Sequence, residues 1–109
     1  MNAVEDKVRE LVGIELESAN KKFPQFFDEH HGFSVIHEEI DETNEEVEVL
    51  NNEIGEIWSK IKSNTLNRTV VQIAYNSAVH LACEAIQVAA MCNKLIACID
   101  RKEKGGTDK

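Results

Sequence analysis

Helix breakers are nearly absent from the two longest stretches of this chain, and that scarcity constrains its fold more than any other feature. The only proline is Pro24, and the glycines are Gly13, Gly32, Gly55 and the pair Gly105–Gly106. Proline removes a backbone donor and glycine costs about 1 kcal/mol in a helix interior, so a chain that avoids both can run as long helices. The sequence predicts an all-α fold, a helical bundle of about three to four helices. Val4, Val8, Leu11, Val12, Leu16 and Ala19 recur at helical spacing, which predicts a first helix from about residue 3 to 21. "KKFPQFFDEHHGF" interrupts it, with His30 and His31 read as loop or capping residues. From Ser34 onward Ile36, Ile40, Val47, Leu50, Ile54, Ile57, Trp58 and Ile61 form one stripe, so a second helix runs to about Lys62. "KSNTLNRT" is a polar connector, with Asn67 or Thr65 as candidate cap of a third helix that reaches about Asp100. Residues 1–100 read as a single domain and residues 101–109 as a frayed polar tail.

The third helix is apolar around most of its circumference. Val71, Ala74, Ala78, Leu81, Ala85 and Val88 lie on one side, and Val79, Cys83, Ile86, Ala90 and Ala97 on another, a pattern expected of a helix buried on more than one face. Gln72, Asn76, His80, Glu84, Gln87 and Lys94 form a narrow polar strip between those flanks, pointing inward or into a cleft. One short chain cannot readily cover so much apolar surface, so a homodimer or higher homo-oligomer is expected, with Val79, Ile86 and Ala90 on the shared face.

Charge narrows the range of partners. With 20 acidic against 12 basic residues and a pI near 4.9, the chain has no clustered Lys/Arg footprint for nucleic acid or an anionic membrane. "MNAVEDKVRELVG" lacks the basic-then-apolar order of a signal peptide, and no apolar run reads as long enough to span a bilayer, so a cytoplasmic location is expected. Cys83, Cys92 and Cys98 have no CxxC or His/Cys pairing and read as reduced, buried small hydrophobes.

The carboxylates of "HEEIDE" carry the chemistry. Glu39 and Glu42 are three residues apart, about 60° around a helix, so their carboxylates can converge on one cation. If the second and third helices pack together, Glu39, Glu42, Glu84 and Gln87 can face one another, and four oxygen donors suit Mg²⁺ or Mn²⁺ better than zinc or copper. The competing readings are plainer. Glu38, Glu42, Glu45, Glu46 and Glu48 can be the wet face of an amphipathic helix, Glu84 a buried ion pair with Lys94, Arg68 or a lysine of the first helix, and His80 a hydrogen-bonded core residue.

"HHGFSVIHEEIDETNEEV" and "EAIQVAAMCNK" resemble, in order, the two motifs of the MazG-like branch of the all-α NTP pyrophosphatases, and "KKFPQF" followed by His30 and Gly32 is similar to that branch's lead-in. The resemblance covers most of residues 15–97. It implies that Glu38, Glu39 and Glu42 match an EExxE stretch, that Glu84 matches the first acid of ExxD, and that Lys94 matches a following basic residue. Gln87 stands where the family has aspartate, and the interval between Glu42 and Glu84 is longer than the family's. An amide still offers a carbonyl oxygen, but it carries no charge and cannot act as a base.

The expectation that follows is Mg²⁺-dependent cleavage of a nucleoside triphosphate or related nucleotide to monophosphate and pyrophosphate. Glu39, Glu42, Glu84 and Gln87 are the expected metal ligands, Lys94 the phosphate contact, and Glu38 or Glu46 the residue that orients the attacking water. The alternative is a non-catalytic helical interaction or metal-binding protein that keeps the fold with an incomplete site.

Overall fold

The computed structural model describes residues 3–107, with side chains described through Lys104. It is all-α: three helices, α1 (Glu5–Lys22), α2 (Glu29–Lys62) and α3 (Arg68–Thr107), and no strand among the described residues.

Local chemistry accounts for the boundaries. α2 begins five residues before the Ser34 expected from the apolar stripe, because Asp28 caps it. The Asp28 Oδ1 accepts the His31 backbone N–H at 2.8 Å, and the His31 Nδ1 accepts the Phe27 N–H at 2.9 Å. α2 ends in a Schellman arrangement. Thr65 N–H bonds the Lys60 carbonyl and Asn64 N–H the Ile61 carbonyl, with Asn64 at φ 57°, a left-handed conformation that asparagine tolerates better than most residues. Of the two candidate caps for α3, Asn67 is the one used, its Oδ1 accepting the Val70 N–H at 3.1 Å. α3 does not stop near Asp100 but continues to Thr107, and Arg101 and Lys102 in the expected tail make tertiary bonds, to the Phe26 carbonyl at 2.8 Å and to Glu29 at 3.0 Å. Residues 108 and 109 lie outside the described residues.

The chain divides into two compact units. One comprises the described residues of Met1–Ile40 and Ile86–Lys109, the other Asp41–Ala85. The first unit is a three-helix arrangement with its own core: Val12 of α1, Phe26 of the α1–α2 connector, and Ala90, Met91 and Cys98 of α3, flanked by Leu16, Val35, Ile36 and Leu95. Phe26 is packed tightly within it. The ring is 3 % exposed, stands edge-on to His31 at 5.3 Å, and lies against Gly32, where an added Cβ would come within 2.9 Å of both Phe26 and Leu95.

The second unit is an antiparallel hairpin of the later half of α2 and the early half of α3. Its seam repeats every three and four residues, through Thr43, Glu46, Leu50, Glu53, Ile57 and Lys60 on α2 and Val70, Ala74, Ser77, Leu81 and Glu84 on α3. The Ser77 hydroxyl donates to Glu53 at 2.9 Å across that seam. Only Ala74 and Ser77 are buried in this unit.

Several expectations are corrected by this arrangement. α3 is not buried on two faces along its length: Val71 and Val79 are exposed, and the polar strip passes from exposed Gln72, Asn76 and His80 to half-buried Glu84 and Gln87 and buried Lys94. Ala90, placed on a shared face by its apolar flank, is fully buried in the first unit's core, and Ile86 packs beside it. Cys98 is buried, but Cys83 and Cys92 are exposed, and all three are free thiols. Over Arg68–Lys104, α3 is long and apolar enough to cross a membrane by length and composition, since its isolated polar residues do not offset so many alanines and aliphatics.

Two of the helical glycines, Gly13 and Gly32, give a paired test of the packing. Gly13→Ala, which meets nothing within 4 Å, should raise stability by about 1 kcal/mol through helix propensity. Gly32→Ala should lower the melting midpoint, because overpacking at about 1–3 kcal/mol outweighs the same propensity gain. Thermal unfolding followed by circular dichroism reads both, and equal gains from the two substitutions would contradict the packing described.

Candidate functional site

The predicted site residues fall into two groups, one in each unit. In the hairpin, Glu42 and Glu84 bring carboxylate oxygens within 4.8 Å of one another and share a hydrogen bond. Glu42 stands beside the seam near the start of the hairpin's α2 arm and Glu84 in the seam near the end of its α3 arm, positions that an antiparallel pair places opposite each other. Glu84 is half-buried, and its acidity is weakened, first by burial, then by the Glu42 charge and the hydrogen bond to Glu42, then by the Glu46 charge; His80 acts in the opposite sense. A hydrogen bond between two carboxyl groups requires one of them to hold a proton, consistent with that direction. The ion pair weighed for Glu84 is not formed with Lys94, whose ammonium is engaged elsewhere, or with Arg68, which sits at the opposite end of the hairpin.

In the first unit, Glu39, Gln87 and Lys94 line one cavity of about 400 Å³ together with Glu15, Phe23, Phe26 and His31. Lys94 is the notable member. It is 6 % exposed, its Nζ donates to the Phe23 carbonyl and lies 5.0 Å over the Phe26 ring, and burial lowers its pKa below the ordinary lysine value. Burial thus weakens the acidity of Glu84 and the basicity of Lys94 alike.

Glu46, one helical turn beyond Glu42, is half-buried in the hairpin seam and acts on Glu84 through its charge. Glu38 is exposed and belongs to a separate shallow depression with Phe33, Ser34 and His37. The cavity's aromatic wall was the part missed by sequence reasoning. "FPQFF" was visible as a cluster of aromatics, but a segment read as an interruption offers no periodicity from which to predict that Phe26 turns inward.

Comparison with known protein families, with curated proteins and with solved structures gives no match.

The electrostatics yield a pH prediction for the metal-free protein. Glu84 binds its proton more tightly folded than unfolded, so the stabilisation it contributes is present at low pH and is lost as pH rises through the ordinary carboxyl range to its raised value. Glu84→Gln removes this loss. In the presence of a chelator, the melting midpoint of Glu84→Gln relative to the unaltered chain should increase between about pH 4 and pH 8. A difference that stays constant with pH would show that Glu84 titrates normally.

Proposed function

We propose that this chain is a Mg²⁺-dependent hydrolase of the nucleoside triphosphate pyrophosphohydrolase type, cleaving a nucleotide to monophosphate and pyrophosphate. The observation that carries the reading is the Glu42–Glu84 pair, with Glu46 beside it: like charges gathered where no lysine or arginine neutralises Glu84 among the described residues. Such a group is stabilised either by taking up a proton or by a cation. Its donors are hard oxygens, which fit Mg²⁺, with Mn²⁺ as a substitute, and suit zinc or copper poorly.

Glu42 and Glu84 would hold the ion. A bound cation supplies charge neutralisation to phosphate oxygens and a Lewis acid for the displacement. Glu46 is favoured over Glu38 for orienting water, since its charge already acts on Glu84. In the cavity of the first unit, Phe23 and Phe26 offer apolar walls and Lys94 a cationic group, within the size range of small-molecule sites. Gln87 would contribute an amide oxygen and a hydrogen-bond donor there.

A second reading, a cation-binding helical protein without catalysis, is favoured by one observation: the Lys94 ammonium is already committed to the Phe23 carbonyl. A panel of canonical and modified nucleoside triphosphates with Mg²⁺ and pyrophosphate detection separates the two. Turnover abolished by Glu42→Ala and by Glu84→Ala supports the hydrolase. A Mg²⁺-dependent rise in melting midpoint without pyrophosphate release supports the second reading, and no rise at millimolar Mg²⁺ or Mn²⁺ overturns both.

A further inference from the structure

Beside the cavity lined by Glu39 and Gln87, the first unit has a second one, an open groove of about 460 Å³ between the end of α1 and the later part of α3. Its α3 wall is a single stripe, because Asn93, Asp100, Arg101 and Lys104 follow one another at helical spacing. From Asn93 to Lys104 the rise along the helix is about 16 Å. Asn20 stands at the Asn93 end of the groove, one turn before Phe23, whose carbonyl holds the Lys94 ammonium. Lys94 therefore borders both cavities.

The groove reverses the sign of the chain. The protein carries a net charge of -8, yet Lys94, Arg101 and Lys104 line this groove against the single carboxylate of Asp100. Two of those cations are held in place before any ligand arrives. Lys94 is fixed by the Phe23 carbonyl and Arg101 by the Phe26 carbonyl, and an immobilised cation loses little freedom when an anion binds it. Arg101 bonds Phe26 and Cys98 through Nη2 alone, so its Nε and Nη1 hydrogens remain for an anion. The other end of the groove lacks a donor. Asn20 Oδ1 is buried and accepts no hydrogen bond among the described residues, a state that a donor brought to it relieves.

We propose that this groove binds a phosphate monoester carrying hydroxyl groups, a sugar phosphate or a nucleoside monophosphate. Three cations against one carboxylate leave a surplus of two positive charges, which matches a phosphate dianion. Arg101 and Lys104 take the phosphate at one end, since a planar guanidinium engages two phosphate oxygens at once and the lysine adds a point charge. Ligand hydroxyls donate to Asn20 Oδ1 at the other end and to Asp100 along the stripe, which an anion without hydroxyls would only meet as a repelling charge. Inorganic phosphate leaves the Asn20 oxygen unmet, and a metal cation is repelled by the lining. The inference stands apart from the hydrolase reading, because Asn20, Asp100, Arg101 and Lys104 have no part in that site.

Isothermal titration of the full chain with ribose 5-phosphate, adenosine monophosphate and inorganic phosphate as separate probes tests the proposal. Chelator in every titration keeps Mg²⁺-dependent binding out of the measurement. At least one of the two esters should bind about tenfold or more tightly than inorganic phosphate. Lys104 is exposed, so Lys104→Gln should keep the thermal midpoint while weakening binding of the ester about tenfold. Asn20→Ala should weaken the ester about fivefold and leave inorganic phosphate unchanged, which a merely structural role would not do. Equal affinity for the two esters assigns the groove to the sugar phosphate they share, and tighter binding of adenosine monophosphate assigns it to nucleotides. No binding of either ester at about 5 mM, an affinity indifferent to Lys104→Gln, or an Asn20→Ala chain that loses inorganic phosphate as much as the ester overturns the proposal.

Discussion

The burial of Lys94 is the constraint on which the first unit depends. A lysine ammonium removed from water must find an acceptor, and this one finds the Phe23 carbonyl while covering the Phe26 ring. Arg101, two turns along α3, takes the Phe26 carbonyl at 2.8 Å. The connector between α1 and α2 is thereby fastened to α3 through its backbone, not only through the Phe26 side chain. That fastening has consequences along the chain. It seats Phe26 where only Gly32 leaves room for it, it places Asp28 to cap α2, and it makes Glu39, Gln87 and Lys94 walls of one cavity.

The hairpin rests on a different balance. Its seam has heptad spacing, but Glu46, Glu53 and Lys60 occupy positions that a self-sufficient coiled coil would give to aliphatics. Glu53 is accommodated by the Ser77 hydroxyl, whereas Glu46 adds charge to the neighbourhood of Glu84. A seam of this kind specifies register more than it supplies stability, because each polar contact replaces apolar burial and must satisfy its own desolvation. The hairpin gives part of its interior edge to polar residues and leaves several of its large apolar side chains, Ile54, Trp58 and Tyr75 among them, exposed.

The sequence by itself determined the helices. Breaker scarcity and apolar periodicity were sufficient for about three to four helices, for the α2 terminus at Lys62 and for narrowing the α3 cap to Asn67 or Thr65, because these are set by interactions within a few residues. The spacing of Glu39 and Glu42 was equally local. What the tertiary structure decided was which apolar flank of α3 is covered, since a helix that is apolar all round has no periodicity to indicate its buried side. Ala90 and Val79 read alike in sequence, yet one is fully buried and the other exposed. The inward turn of Phe26, the capture of Lys94 by a backbone carbonyl 71 residues away and the meeting of Glu42 with Glu84 were likewise decided by packing. They join residues far apart in the chain, and the free energy that selects them is desolvation, which has no value until the fold assigns each group an inside or an outside.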